Sequence, residues 1–334
     1  MLLASLTAFI PAPPFNQIGP LHLYGLCIAL GVVAAVTLSS RRWEARGGDP
    51  DDIATIALWA VPAGVIGSRI YHVATDWKRY QDHWIDAFKI TQGGLGIPGG
   101  IFFGVLTGVL VARSKHLRLP PLFDVVAPAI PIAQAIGRFG NYFNQEVFGR
   151  PTKVPWALEV DPEFRPVRYI EDATFHPTFL YEGLWNVALA FLLIRLDRKR
   201  RIRPGQLFTL YILGYAVGRL WVEMLRSDEA SLVLGIRINI WMSVIVGLIA
   251  LLVFVMAWRL GPGDPAAHMA TDEAAAALGM GVDGQVGDGE AIVAPTDCFP
   301  DLPPDSDGPA ADLEDALEED ALFVEDDPPD DEPG

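Results

Sequence analysis

Arg138 and Arg219 each lie in a long apolar stretch. An ionisable side chain is costly in such a stretch and marks a candidate functional site. Asn141 follows Arg138 by less than one helical turn, and Tyr215 precedes Arg219 by about one turn. An arginine is always charged and donates paired hydrogen bonds to a phosphate or a carboxylate. We therefore expect these side chains to bind an anionic group.

The same arginines also have a purely structural interpretation. Glu146 follows Arg138, and Glu223 follows Arg219, so the four side chains also fit two ion pairs that serve only the fold. Two arginines at the same expected depth, with Asn and Tyr donors nearby, favour the anion site over the structural pairs.

Other polar residues and glycines lie at the ends of apolar stretches. They are Tyr24; Arg69 with Tyr71 and His72; the turn Gly93–Gly100; and His176 with Tyr181 and Glu182. Non-helical backbone at membrane depth must line a cavity or be buried in protein, which makes Gly99 a candidate for the lining of a site. Arg69 also fits a side chain that reaches the membrane interface, and His176 also fits a loop cap.

Seven apolar stretches must position these residues. Each approaches the roughly 20 residues that cross the hydrocarbon of a bilayer. They lie near 21–40, 53–73, 95–112, 122–138, 179–194, 206–222 and 238–258. The sequence therefore predicts an all-α, polytopic membrane protein with about seven transmembrane helices.

The basic residues predict the orientation of these helices. Every odd-numbered stretch ends in a basic cluster or residue: Arg41, Arg42 and Arg46; Arg113, Lys115 and Arg118; Arg195 to Arg203; and Arg259. Basic loops stay in the cytoplasm, so we expect the N-terminus outside and the C-terminus inside. The polar sets named above then share the outer half of the bilayer, which indicates one outward-facing site.

Charge divides the chain of 334 residues into a body and a tail. Of its 41 acidic residues, 22 lie in 261–334, which holds none of the 25 basic residues. We expect an external N-terminal segment at 1–20, a seven-span body at 21–260 and a disordered acidic cytoplasmic tail at 261–334, whose partner the sequence does not identify. Cys27 and Cys298 give no metal-ligand pattern, and we expect no metal, no cofactor and no nucleic-acid partner.

The segment from Gly137 to Arg150 resembles the signature of bacterial prolipoprotein diacylglyceryl transferases. It fits the pattern G-R-x-G-N-x-x-N-x-E-x-x-G-R, which is long and specific. Four further stretches match the same family in the same order along the chain. They are Tyr24–Leu26; Gly93–Gly100; His176-Pro177 with Tyr181-Glu182; and Tyr215–Arg219 with Glu223 and Arg226. The resemblance covers about residues 20–258 and leaves out the acidic tail.

The resemblance implies an enzyme of the bacterial plasma membrane with its active site toward the outer leaflet. Such an enzyme moves the diacylglyceryl group of phosphatidylglycerol onto the lipobox cysteine of a prolipoprotein. The product is a thioether, the leaving group is glycerol phosphate, and the reaction is the first step of lipoprotein maturation. The implied partners are phosphatidylglycerol, the prolipoprotein signal peptide with its lipobox, and the bilayer itself.

The resemblance and the charge argument together assign roles to particular residues. We expect Arg138, Arg219 and Tyr215 to be catalytic, because fixed cations and donors stabilise the charge that develops on the leaving phosphate. The lipid-binding residues are then Arg138, Asn141, Tyr24, Arg69 and Gly99, and the residues that hold them in place are Glu146, Glu223, Arg226 and His176.

One position departs from the family pattern. Many members have a histidine before the Gly-Gly pair of the third-span turn, as a proposed general base, whereas this chain has Pro98, which accepts no proton. The candidates for that role here are His22, His176 and Tyr215, and the sequence does not choose among them.

Two other classes of protein fit part of the pattern. A transporter of an anionic solute would use the same arginines, but transporters usually show internal repeats and polar groups at mid-membrane. A catalytically inactive lipid-binding scaffold would act through the tail. The signature favours the transferase over both.

Overall fold

Seven spans form the body of the protein in a computed structural model, which describes residues 9–19, 21–81, 83–88, 94–198, 202–227, 232–261 and 265–277. All of these residues lie within one compact unit, Met1–Gly287. Each span is long and apolar enough to cross a membrane, which confirms the prediction of a mostly helical, polytopic membrane protein.

The helices follow the predicted stretches closely. They are α1 (Leu23–Glu44), α2 (Pro50–Thr75), α3 (Ile97–Ser114), α4 (Leu119–Val126), α5 (Ala129–Phe143), α6 (Thr178–Arg198), α7 (Gln206–Leu225), α8 (Ile238–Arg259) and a short α9 (Asp272–Ala277). The fourth span differs from its prediction, because it is two helices, α4 and α5, separated at Ala127 and Pro128. Proline has no N–H to donate to the preceding turn, so the helix breaks there.

Three short antiparallel hairpins add strands that the apolar pattern did not predict. They are β1 (Gln17–Ile18) with β2 (Leu21–His22), β3 (Leu158–Glu159) with β4 (Thr174–Phe175), and β5 (Leu232–Val233) with β6 (Ile236–Arg237). All three lie where α1, α6 and α8 begin and where α5 and α7 end. We call this end of the bundle the polar end.

Close helix crossings depend on glycines. On α2 and α3, a Cβ at Gly99 would lie 2.2 Å from the Gly67 carbonyl oxygen. On α1 and α5, a Cβ at Gly140 would lie 2.7 Å from the ring of Tyr24. The two helices of each pair can approach this closely only because these positions have no side chain.

A small core covers the polar end between α5 and α6. Phe148, Leu158, Val160, Phe175 and Phe179 are all buried in it. Ile10 of the N-terminal segment packs against this core and pairs with Leu158. Ile10 thus joins the segment predicted at 1–20 to the packed structure, while residues 14–19 are exposed.

The opposite end, which we call the basic end, carries the chain that follows α8. Ala270 is fully buried there against Trp43, Ala112 and Val125. Its backbone N–H donates to the Arg46 carbonyl at 3.0 Å, and its carbonyl accepts from Arg118 N–H at 3.1 Å. Packed residues therefore continue past the predicted boundary at residue 261, as far as Ala275, while 278–334 of the predicted acidic tail lies outside the described residues.

Candidate active site

Glu182 joins the two arginines that the sequence singles out. It lies on α6 between α5 and α7, and its side chain is only 3% exposed. Arg138 Nη2 donates to Glu182 Oε1, and Arg219 Nη1 lies 3.7 Å from Glu182 Oε2. The structure thus brings Arg138 and Arg219 to one place at the polar end of the bundle, with one buried carboxylate between them.

Glu223 continues this row of alternating charges. Arg219 Nη2 lies 2.9 Å from its Oε2, while its Oε1 accepts from Arg237 Nε at 2.7 Å and from Asn239 Nδ2 at 3.0 Å. The Glu223 side chain is fully buried, and its two oxygens lie against these three side chains. Three arginines and two glutamates in the row leave one net positive charge for an anionic ligand.

Asn141 and Glu146 extend the site from Arg138 into the loop after α5. Arg138 Nη1 donates to Asn141 Oδ1 at 3.4 Å, and Asn141 Nδ2 donates to Glu146 Oε1 at 2.9 Å. Asn144 Nδ2 also donates to Glu146 Oε1, at 3.3 Å. Glu146 therefore orients Asn141 rather than pairing with Arg138, and Glu182 takes the place that the sequence suggested for Glu146.

An apolar cavity of about 430 Å³ leads away from Arg138 along α1 and α5, and we call it the α1–α5 groove. Its residues are Tyr24, Ile28, Val32, Ala35, Val36, Val61, Ile130, Ala133, Gln134, Gly137, Arg138 and Asn141. From Tyr24 to Val36 the α1 side is about 18 Å long, at about 1.5 Å per helical residue. That length is roughly half of the 30 Å hydrocarbon core of a bilayer.

The groove has one polar end and one apolar end. Tyr24, Arg138 and Asn141 lie at the first, and Val36 and Ile130 lie toward the second. This polarity matches an amphiphile with a charged headgroup and a hydrocarbon chain.

His176 lies in the loop before α6 beside Tyr181. Its Nδ1 is 3.1 Å from the Tyr181 hydroxyl, which also accepts from Trp156 Nε1 at 2.8 Å. The indole only donates, so the Tyr181 hydroxyl accepts from it; between Tyr181 and His176 Nδ1 either group can be the donor, depending on the imidazole tautomer. Partial burial lowers the pKa of His176 below its usual 6.5, which favours the neutral form.

Arg69 and Gly99 belong to the α2–α3 pair, whereas the row of charges is built from α5 to α8. Arg69 is buried, and its guanidinium donates to the carbonyls of Ala87 at 2.8 Å, Asp86 at 2.5 Å and Gly94 at 3.0 Å. It also lies over the Tyr80 ring, 5.4 Å from its centroid. Through these hydrogen bonds, Arg69 connects α2 to the segment that lies between α2 and α3.

The remaining predicted residues lie around the row of charges. Tyr215 is one turn before Arg219 on α7, with its ring centroid 6.2 Å from that of Tyr211. Arg226 follows the end of α7 and pairs with Gly149 of the signature. His22 is exposed where β2 meets α1. Pro98 and Gly99 lie in the first turn of α3, so the non-helical backbone predicted at Gly99 is wrong: proline is tolerated in a first turn, where its missing N–H has no partner to lose.

Sequence reasoning missed Arg237 and Asn239, which donate to Glu223 Oε1, and it gave no role to Glu182. Glu182 was nevertheless named with His176 and Tyr181 among the polar residues at the start of the fifth stretch, and the resemblance includes it. Arg237 and Asn239 directly precede or begin the last apolar stretch, a position where a polar residue is ordinary and gives little signal.

The fold and these side chains define a class: a multi-pass membrane protein in which alternating arginines and carboxylates close the polar end of an apolar groove. Residues 13–256 match the family described as prolipoprotein diacylglyceryl transferase. The chain belongs to this family.

Curated relatives agree over most of the chain. A phosphatidylglycerol–prolipoprotein diacylglyceryl transferase of Streptomyces griseus is 45% identical over 263 residues, which are 77% of this chain and 80% of the relative. One of Rhodococcus jostii is 46% identical, over 78% of this chain and 77% of the relative. One of Corynebacterium efficiens is 46% identical, over 80% of this chain and 89% of the relative.

Proposed function

We propose that this protein transfers the diacylglyceryl group of phosphatidylglycerol to the lipobox cysteine of a prolipoprotein. The observation that carries the proposal is the α1–α5 groove, which ends at Arg138 beside the Glu182-linked Arg219. The relatives' names state the same donor and acceptor. A lipid in the groove would have its chain against α1 and its anionic headgroup at the arginines.

In the reaction, the cysteine sulfur attacks the glyceryl carbon that bears the phosphate. A carbon–sulfur bond forms, the carbon–oxygen bond breaks, and its electron pair leaves with glycerol phosphate. The thiol proton passes to a base or to water. The leaving phosphate gains negative charge in the transition state, and Arg138 and Arg219 stabilise that charge where the surroundings are apolar.

The other residues support these two arginines. Asn141 and Tyr24 line the polar end of the groove and would donate to the headgroup. Glu182 and Glu223 would fix the positions of the arginine side chains, because the two oxygens of each carboxylate contact different arginines. Tyr215, one turn before Arg219 on α7, would donate toward the reacting atoms.

Roles for the more distant residues follow from their contacts. Arg69 and Gly99 shape the α2–α3 side of the polar end, Arg226 holds the signature loop, and His176 orients Tyr181. The base is left open among His22, His176, Tyr215 and water.

The proposed location is the plasma membrane, with the polar end toward the outer leaflet. Basic residues in the last turns of α1, α3, α6 and α8 all lie at the opposite end. Under the rule that basic ends stay in the cytoplasm, the groove would open to the outer leaflet. The lipobox cysteine of a prolipoprotein that has crossed the membrane would reach the same side.

Arginine variants test this proposal. With purified protein, phosphatidylglycerol and a lipobox peptide, Arg138→Ala is expected to lower kcat about 100-fold or more, since it removes a donor to the developing charge. Arg113 is an exposed arginine at the other end of α3, and Arg113→Ala is the matched control with unchanged activity. Transfer by Arg138→Ala at the wild-type rate would refute the assignment.

A further inference from the structure

A second cavity lies on the other side of Glu146 from the α1–α5 groove. It has a volume of about 530 Å³, lies at the polar end outside the helices, and we call it the loop cleft. Residues 144–148 of the signature form one wall, Asn16 of the N-terminal segment forms another, and Phe164, Arg165, Pro166 and Ser227 complete it. Glu146 is linked to the row of charges through Asn141, which hydrogen-bonds to both Glu146 and Arg138.

The backbone of the signature wall is strained. Gln145 and Val147 have φ angles of 48° and 58°, in the left-handed region. For a β-branched residue such as valine this conformation is a true outlier, and strained backbone of this kind concentrates at functional sites.

Side chains from three other segments hold this strained wall. Gln145 exchanges two hydrogen bonds with Asp161, at 2.6 and 2.8 Å. Thr178 Oγ1 donates to the Val147 carbonyl at 2.6 Å, and Ser227 Oγ donates to the Phe148 carbonyl at 3.2 Å. These hydrogen bonds tie the loop to the segments that carry Asp161, Thr178 and Ser227.

Glu146 connects the cleft to the groove. It lines the cleft, and its Oε1 accepts from Asn141, which lines the polar end of the groove. If the acceptor cysteine of the substrate lies at Glu146 and Asn141, the lipid in the groove is on one side of it and the loop cleft is on the other. The polypeptide that follows the cysteine has to leave this position away from the membrane, and the cleft lies in that direction.

The chemistry of the cleft fits a peptide better than a phosphate. Its cation, Arg165, already donates to the carbonyls of Val160 and Ile170, at 2.8 and 3.1 Å. Glu146 adds a carboxylate, which repels an anion and accepts hydrogen bonds from peptide N–H groups. Asn16 and Asn144 offer an amide donor and acceptor each, and Phe164 and Pro166 offer apolar contact.

We propose that the loop cleft binds the extended polypeptide segment that follows the acceptor cysteine of the protein substrate. This inference rests on the proposed transferase function. Contacts through amides and one carboxylate recognise the peptide backbone, so the cleft accepts many different sequences while it fixes the position of the sulfur.

Two acceptor peptides of different length test the proposal. Both carry the same lipobox; the short one ends directly after the cysteine, and the long one continues for several small polar residues. For the wild-type protein we expect the KM of the long peptide to be about 10-fold lower than that of the short one. Phe164 is 40% exposed, and Phe164→Ala is expected to remove most of this difference while the short peptide keeps its KM and kcat.

Asn16→Ala is a second variant with the same expected result, since the Asn16 side chain is exposed. Val167 is 92% exposed and does not line the cleft, so Val167→Ala is the control that keeps the KM difference between the two peptides.

Equal KM values for both peptides with wild-type protein would overturn the inference. An equal rise in the KM of both peptides in Phe164→Ala would also overturn it. Weaker product inhibition by glycerol phosphate in Phe164→Ala, with the peptide difference intact, would assign the cleft to the leaving group instead. No transfer to either peptide by folded wild-type protein would refute the proposed function itself.

Discussion

At the scale of single residues, the site depends on how carboxylates are shared between arginines. Glu182 has Arg138 on one oxygen and Arg219 near the other, and Glu223 has Arg219 on one oxygen and Arg237 on the other. The sequence predicted the arginines from their position in apolar stretches. It could not predict their partners, because which glutamate reaches which arginine depends on how α5, α6 and α7 pack.

Removal of the shared charge should destabilise the protein. Glu182→Gln keeps the shape of the side chain but leaves Arg138 and Arg219 without their common counter-ion. Loss of one partner of a buried ion pair costs about 3 kcal/mol or more, so we expect a clearly lower Tm in detergent. Glu159→Gln, on an exposed position of β3, is the control and should leave Tm unchanged; equal Tm values for both variants would contradict the account.

His176 gives the structure a pH dependence of known sign. Because burial lowers its folded-state pKa below 6.5, the unfolded chain binds the proton first as the pH falls. The stability due to neutral His176 is thus present above about pH 6.5 and is lost as the pH falls through the folded-state pKa.

The test compares thermal unfolding at pH 7.5 and at about pH 5. Wild-type protein should lose more Tm between these two values than His176→Gln, which cannot take up the proton. The same loss in both proteins would show that His176 is not the group responsible.

At the scale of elements, hydropathy alone predicted the seven spans and their ends to within a few residues. It failed at Pro128, where one predicted span is two helices, and at the three hairpins of the polar end. Strands of two residues are too short for an alternating pattern to reveal them. These hairpins matter for the site, since β6 leads directly into the helix that carries Asn239.

Glycine contacts between α2 and α3 allow a matched pair of substitutions. Gly99→Ala would place a Cβ 2.2 Å from the Gly67 carbonyl oxygen, so the helices must separate, at a cost of about 1–3 kcal/mol. Gly25, on α1, has no atom within 4 Å of a Cβ, and Gly25→Ala should be neutral or slightly stabilising. Thermal unfolding checks both; a Gly99→Ala protein as stable as Gly25→Ala would contradict the observed packing.

At the scale of the whole molecule, the charge composition predicted that the packed body ends at residue 260. In the structure, packed residues continue beyond that point. The chain after α8 looked like an acidic tail from residue 261, yet Ala270 is buried at the basic end among residues of α1, α3 and α4. Composition missed this contact because a few small apolar residues can dock on an existing core without an apolar stretch of their own.

Two truncations test this boundary. A chain that ends after residue 277 keeps Ala270 and its two backbone hydrogen bonds, so its Tm should match the full-length protein. A chain that ends after residue 261 loses them and exposes Trp43 and its neighbours, so its Tm should fall. Equal Tm values for the two truncated proteins would show that the docked segment adds nothing to stability.

We propose that the groove and the arginines together carry out the diacylglyceryl transfer. The most direct measurement uses purified full-length protein, phosphatidylglycerol labelled in its diacylglyceryl part, and a lipobox peptide with cysteine or with alanine at the acceptor position. We expect the label on the cysteine peptide alone, with one glycerol phosphate released for each peptide modified. Folded protein that leaves the cysteine peptide unmodified, or that releases glycerol phosphate without labelling it, would contradict the account.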